Sequence, residues 1–259
     1  MSTFYQQNRA ASEKWRQTLS KNLANHFRPE QFYDPADANS QKFYLEYKNR
    51  ISRFTAETTG QIHQELQRSD NSHLLLLMHS ILIDVVIQTT LSTAVWLYNR
   101  KYSESLEAGD VPLAIVACGG YGREEMYFAS DVDMRIISRV LTKGETEDLV
   151  VEVGKYFEYL LVHQDIFRIK CKFGFTETKD KGGKLDAGRM ASFYALMENR
   201  LVAGDNAVYQ EFRESIKDAA VHHQNEIVEY CVARKSCYEV QNTVFQQEPN
   251  VKEELRRLY

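Results

Sequence analysis

Two glycines and two aspartates carry the chemistry that can be read from this chain. They lie in the segment Gly119-Gly120-Tyr121-Gly122-Arg123-Glu124-Glu125-Met126-Tyr127-Phe128-Ala129-Ser130-Asp131-Val132-Asp133, with Asp131 eleven residues beyond Gly120. A strand that ends in a glycine pair turns sharply, because glycine adopts backbone angles closed to other residues. Such a turn presents amide groups where a helix begins, and these form a nest for phosphate. Asp131 and Asp133 stand two residues apart on the next expected strand, so their carboxylates share a face and converge. Neighbouring carboxylates repel unless a cation lies between them, and Mg2+ or Mn2+ is the usual bridge from carboxylates to substrate phosphates. A phosphate nest opposite a carboxylate pair is the minimal equipment for metal-assisted nucleotidyl transfer. Taken singly, a glycine pair is a turn and Asp-x-Asp a solvated strand end. Their combination on consecutive strands is what points to chemistry.

Those residues need strands to hold them. Leu113 to Cys118 is a short apolar run that enters the glycine turn as a buried strand, after a break at Gly109-Asp110-Val111-Pro112. Asp131 to Ser138 is rich in β-branched residues and predicts a second strand. Glu145 to His163 has helical spacing through Leu149, Val153, Phe157, Leu160 and Leu161. Ile166 to Phe175 alternates, with Arg168, Lys170 and Lys172 on one face and Ile169, Cys171 and Phe173 on the other, which predicts a third strand with a basic face. From Asp186, a candidate N-cap, the chain reads as helix to about Val244, with a stripe through Met190, Phe193, Leu196, Met197 and Leu201. Upstream, residues 1–108 read as helical, with Phe43, Leu45, Tyr47, Ile51 and Phe54 at three- and four-residue steps. Pro29 and Pro35, among Asp34, Asp37 and Asn39, break a first helix from the next, and a long helix is expected from about Asn71 to Ser105. The expected fold class is α/β of the α+β kind: a small mixed sheet over 109–184 between helical regions at 1–108 and 185–259.

Composition narrows the classes. The chain has 259 residues, 32 Lys and Arg against 36 Asp and Glu, and 43% apolar residues, enough for one sizeable core or two small ones. Twelve glycines and four prolines exclude collagen-like and low-complexity classes. Four cysteines without Cys-x-x-Cys spacing, and an N-terminus without an apolar leader, predict a soluble protein of the reducing cytoplasm. The most apolar run, Leu74 to Leu97, is interrupted by His79, Asp84 and Gln88, so a buried helix is expected in place of a membrane span. A net charge of −4 argues against bulk nucleic-acid binding. Within Arg168 to Lys184, six basic residues face two acidic ones (Glu177 and Asp180), a local excess suited to a triphosphate or a polyanionic acceptor, or simply to a solvated loop.

The segment around the glycine pair resembles the signature of the nucleotidyltransferase superfamily with the polymerase-β-type fold, a Gly-Gly or Gly-Ser pair followed by Asp-x-Asp. More narrowly, GGYGREEMYFASDVD is similar to the GGYGRGEL…SD[IV]D segment of the PII uridylyltransferase family. It is also similar to the GSEGRxEQ…TDxD segment of related nucleotidyltransferases found with CBS or cyclic-nucleotide domains. Leu196 to Asp205 (LMENRLVAGD) resembles LLEARLLAGD of the first family, and Glu248 to Glu253 (EPNVKE) resembles its EPNIKEG. The resemblance covers roughly residues 112–253. It implies a sheet of nucleotidyltransferase type and a reaction in which a nucleoside triphosphate donates its nucleotidyl group to a protein or small-molecule hydroxyl, releasing pyrophosphate. It further implies that Gly119, Gly120 and Ser130 hold the nucleotide, that Arg123 helps neutralise the triphosphate, and that Asp131 and Asp133 bind Mg2+ or Mn2+. Arg200 and Lys252 match charged positions of the other two stretches and are carried over as nucleotide or structural contacts. Arg200 would equally cap a helix or pair with Glu198, and Lys252 would equally be a solvated side chain.

The chain departs from the pattern in places. Glu124 replaces a family glycine, and the VGHSVRT stretch is absent from Ile169 to Thr176. The third carboxylate common in the superfamily has only Asp165 and Glu177 as neighbours of the third strand. The tail lacks GPGGLRD, and no residues remain for the hydrolytic HD and ligand-sensing ACT domains of the uridylyltransferases, so uridylyl removal and glutamine sensing are not expected. Regulation is expected from a further domain or a partner protein, with the N-terminal helices serving as docking module, dimer surface or support for the sheet. A second reading is a degenerate nucleotidyltransferase fold that senses nucleotides or binds proteins without turnover.

Overall fold

The computed structural model describes residues 2–34, 41–68, 71–128, 130–138, 145–163, 166, 171–172, 175–177 and 193–233. Three long helices open the chain: α1 (Ser2–His26), α2 (Gln41–Leu66) and α3 (Ser72–Tyr102). The break between the first two comes where the prolines placed it, with a single 3-10 turn at Pro29–Gln31. At the head of α3 the Asn71 side chain accepts a hydrogen bond from the Leu74 amide at 3.0 Å, and at its end Ser103 turns left-handed at φ 58°. α3 is long and apolar enough to cross a membrane, yet 67% of its most apolar window is buried inside the protein. It packs against α1 and α2 and against the sheet, as a core helix does.

β1 (Leu113–Cys118) follows, all six of its residues buried, and leads into a single helical turn, α4 (Gly119–Gly122). β2 (Val132–Ser138) runs antiparallel to β1, with Ala117 opposite Met134 and Leu113 opposite Ser138. α5 (Glu145–Glu158) continues as a π-helical turn at Tyr159–His163. Two short strands, β3 (Cys171–Lys172) and β4 (Phe175–Glu177), pair parallel with β2 and occupy part of the expected third strand. Residues 167–170 and 173–174 of that segment, Arg168 and Lys170 among them, lie outside the described residues, as do the Asp186 cap, Lys252 and the EPNVKE stretch.

One expectation fails. Asn199 to Gly204, expected within a helix, is a strand, β5 (Asn199–Gly204), antiparallel to the far side of β1, with Val116 opposite Leu201 and Ala114 opposite Gly204. Leucine and alanine favour a helix locally, but pairing with a buried neighbour strand outweighs that preference. Gly204 explains the geometry: it sits at φ +94°, and a Cβ there would overlap the Leu113 carbonyl oxygen. The helix resumes at α6 (Asn206–His222), capped by Asp205, whose side chain accepts from the Ala207 amide at 2.7 Å.

The result is an α+β fold with a mixed sheet in the order β3-β2-β1-β5, β4 also pairing with β2. Side chains alternate across it. Leu113, Ile115, Ala117, Val132, Met134, Ile136 and Val202 join the core shared with α1, α2, α3 and α5. Ala114, Val116, Cys118 and Ile137 join a second core with Phe193, Val208 and Phe212 under α6. Leu113, Ile115 and Val116 each stabilise the fold by about 1.5–3 kcal/mol on burial, and β1, buried on both faces, joins the two cores.

Candidate functional site

β1 delivers the glycine pair to the edge of the sheet where β2 begins. Gly119 adopts φ +58°, a left-handed turn that glycine enters without cost, and a Cβ built there would lie 3.9 Å from Oδ2 of Asp133. The glycine turn and the second aspartate are therefore neighbours in space. Asp131 and Asp133 are half-buried, and Val132 and Met134 alternate with them into the helix-side core. Asp133 thus faces the side of the sheet that carries Cys118. The Cys118 thiol is pushed up to about 12 by burial, with Arg135 opposing and Asp133 adding to the rise, so it is no thiolate nucleophile.

The turn is closed by its own backbone: the amides of Arg123 and Glu125 donate to the carbonyls of Gly119 and Gly120 at 3.0 and 2.9 Å. Glu124 lies between them at φ +62°, a left-handed conformation unfavourable for a residue with a side chain. Beyond it, the Met126 amide donates to Ser80 Oγ at 3.3 Å, the Met126 carbonyl meets His79 Nδ1 at 3.3 Å, and the Phe128 ring stands against His63 and His79. The loop that links glycines to aspartates is thereby moored on α2 and α3. Ser130, half-buried, has its amide on the Tyr127 carbonyl at 3.0 Å.

Both candidate arginines are engaged by carboxylates. The Arg123 guanidinium bonds Glu125 at 2.7 Å and Glu198; burial works against its charge, but these two carboxylates outweigh it and raise its pKa. Arg200 reaches through the sheet edge to Asp84 of α3 with two parallel hydrogen bonds, at 2.8 and 2.9 Å, and its Nε lies 3.5 Å from Glu124. It caps no helix, and the arginine that pairs with Glu198 is Arg123. Arg200 also lies over the Tyr121 ring, 5.4 Å from its centre. Gly122 completes the joint, since a Cβ on it would overlap the Glu198 carbonyl oxygen. The GGYGRE and LMENRLVAGD stretches, distant in sequence, are one interlocked unit.

The strand beside β2 decides where a third carboxylate can stand. In parallel register, Lys172 is opposite Asp133 and Glu177 is opposite Ser138. Ser138 lies five residues beyond Asp133, and at about 3.3 Å per residue that puts Glu177 roughly 17 Å along the strand from Asp133 and farther from Asp131, out of reach of a shared cation. Asp165 lies outside the described residues.

Sequence reasoning missed Asp84, Arg16, Ser80 and His79 as supports of this site. A signal for Asp84 existed: it is the one carboxylate in the most apolar run of the chain. As a metal site the donor set is incomplete by itself, because no group of three or more His, Cys, Asp or Glu occurs among the described residues. Two hard carboxylates beside the Gly119 turn nevertheless fit Mg2+ or Mn2+, which are commonly held by one or two carboxylates plus substrate phosphates.

With that geometry, comparison with known proteins gives a consistent but distant kinship. Over 153 residues, 56% of the chain, it is 24% identical to the bifunctional uridylyltransferase/uridylyl-removing enzyme of Pseudoalteromonas translucida (strain TAC 125). Over 200 residues, 73% of the chain, it is 29% identical to the enzyme of the same name from Erythrobacter litoralis (strain HTCC2594). The similarities support a nucleotidyltransferase-related family. The matched stretches span only 16% and 20% of those relatives' lengths. No protein-family model matches the chain.

Proposed function

We propose that this chain is a Mg2+-dependent nucleotidyltransferase that moves a nucleoside monophosphate group, uridylyl or adenylyl, from a nucleoside triphosphate to a hydroxyl of a protein or small molecule. The observation that carries the reading is the approach of Asp133 to the left-handed Gly119 turn, with Asp131 two residues before it. In the reaction the acceptor hydroxyl oxygen forms a bond to the α-phosphorus and gives its proton to solvent, while the bond from the α-phosphorus to the bridging oxygen breaks and pyrophosphate leaves with that electron pair. Gly119 and Gly120 let the triphosphate approach the backbone closely, and the Asp131 and Asp133 carboxylates hold the cation. When bound there, such a cation would act as a Lewis acid and neutralise phosphate charge. Arg123 is poised beside Gly120, its Nη2 3.8 Å from where a Cβ would stand. Its Nε donates to Glu125 and its Nη1 to Glu198, so Nη2, on the glycine side, is the nitrogen that would meet phosphate.

A second reading has its own support. Lys172, and no carboxylate, stands in register with Asp133, which suits a nucleotide-binding module without turnover. Transfer of label from α-labelled triphosphates separates the two, with all four triphosphates tried in turn. Replacing either aspartate, Asp131→Asn or Asp133→Asn, is expected to lower transfer by about a thousandfold or more, as loss of a metal-holding group does. Binding without pyrophosphate release in the unmodified chain would establish the sensor; transfer unchanged by both substitutions would sink the metal assignment.

A further inference from the structure

Asp84 lies in the middle of α3, fully buried between Ile83 and Val85, and four hydrogen bonds converge on its two oxygens. Oδ2 accepts from Arg16 of α1 at 2.9 Å and from Arg200 of β5 at 2.8 Å. Oδ1 accepts from Arg200 at 2.9 Å and from the Tyr121 hydroxyl of α4 at 2.8 Å. Burying a carboxylate is costly even when it is paired, and an apolar side chain of similar size commonly serves stability as well or better. What the charge provides, and an apolar residue would not, is a fixed arrangement of three elements that come from distant parts of the chain.

The element that most needs fixing is α4. Its sequence is Gly119-Gly120-Tyr121-Gly122, and three glycines leave the backbone free to move. Tyr121 supplies the one side chain by which the rest of the protein can grip this turn. That side chain is fully buried, its hydroxyl donates to Asp84, and the Tyr121 backbone carbonyl accepts a longer contact from Arg200 at 3.4 Å. We propose that Asp84 is a positioning residue of the transferase site: through Tyr121 and Arg200 it holds the glycine turn in place against Asp133. The N-terminal helices then belong to the active unit, and α1 is linked to it through Arg16. The proposal deepens, and rests on, the transferase reading.

Two variants of the full chain test it, Asp84→Asn and Tyr121→Phe, the second removing one hydroxyl while keeping the ring. Hydrogen exchange is read at the amides of residues 119–125 and across β1 and β2, and transfer is measured well below the melting temperature per folded molecule. Both variants are expected to speed exchange at the turn by about tenfold while the strands keep their protection. They are also expected to lower kcat by about tenfold or more and to raise KM for the triphosphate, because the turn they loosen both seats the triphosphate and sets it against Asp133. The double variant should lose no more kcat than Asp84→Asn alone. Exchange that rises evenly through the sheet, or kcat per folded molecule equal to that of the unmodified chain, would overturn the proposal. If the unmodified chain transfers nothing, the transferase reading falls, and exchange at the turn alone decides whether Asp84 holds it.

Discussion

Gly120→Ala separates the fold from the chemistry. Gly120 does not adopt positive φ, and a Cβ added there meets only Arg123 Nη2 and the Glu125 carbonyl, both at 3.8 Å, an ordinary contact distance. The folded state loses nothing, and the unfolded chain loses freedom, so the substitution should stabilise by about 0.4–1 kcal/mol. Its neighbours behave otherwise. Gly119→Ala keeps its space, but φ +58° imposes about 1–2 kcal/mol of strain. Gly122→Ala drives a methyl into the Glu198 carbonyl, parts α4 from β5 and disturbs the Arg123 to Glu198 pair; it should cost about 3 kcal/mol, the upper end of overpacking. A triphosphate seated on the backbone of the turn would still meet the new methyl of Gly120→Ala, and one methyl in a fitted site weakens binding by roughly 10- to 200-fold. Urea denaturation gives the stability of the three variants, and calorimetry with Mg2+ and each triphosphate gives affinity. A Gly120→Ala protein that is as stable as expected yet binds and turns over triphosphate like the unmodified chain would show that phosphate does not approach this turn.

Two further outcomes follow from the same neighbourhood. Glu124→Gly relieves the left-handed strain of about 1–2 kcal/mol, against a loss of about 0.5–1 kcal/mol in unfolded-state entropy and a weak contact with Arg200, so stability should hold within about 1 kcal/mol while Glu124→Val loses more. Removing that carboxylate should also tighten triphosphate binding, and unchanged affinity in calorimetry would place Glu124 away from the phosphates. His79 is held below its ordinary pKa of 6.5, first by burial and then by His63, with the Met126 carbonyl opposing. As pH falls below 6.5 the unfolded chain therefore takes up a proton that the folded chain resists, and stability declines until the folded value is reached. Urea midpoints between about pH 7.5 and 5 should fall less steeply for His79→Gln than for the unmodified chain, and parallel curves would refute the assignment.

The parts of the fold that could be read from sequence are those written in local periodicity. β1 and β2 show as a buried run and an alternating run, and α3 as a long apolar helix that its buried neighbours then confirm. The candidate site was legible for the same reason, since Gly119, Gly120, Asp131 and Asp133 lie on a single strand-turn-strand passage. β5 was not, because Leu201, Val202 and Ala203 serve helix and strand alike, and what makes them a strand is pairing with β1 more than eighty residues earlier. The third carboxylate was undecidable from spacing alone. Only the register of β3 and β4 on β2 shows Lys172 beside Asp133 and Glu177 far beyond it.

Glu124 shows how a departure from a pattern changes meaning once the backbone is known. In sequence it is an added acid next to a phosphate nest. In the structure it occupies φ +62°, which is the physical reason a glycine suits that position, and its carboxylate lies near Arg200. Arg200 in turn is held by Asp84, and Asp84 holds Tyr121, the one side chain within the glycine turn. The acid is therefore the outer end of a chain of charges that alternates from Arg16 through Asp84 and Arg200 to Glu124. Paired along that line, it stabilises the arginine that grips the turn. The same residue that strains the backbone thus helps to complete the charge balance that fixes it, and a substitution at Glu124 acts on the site through Arg200 as well as through the phosphates.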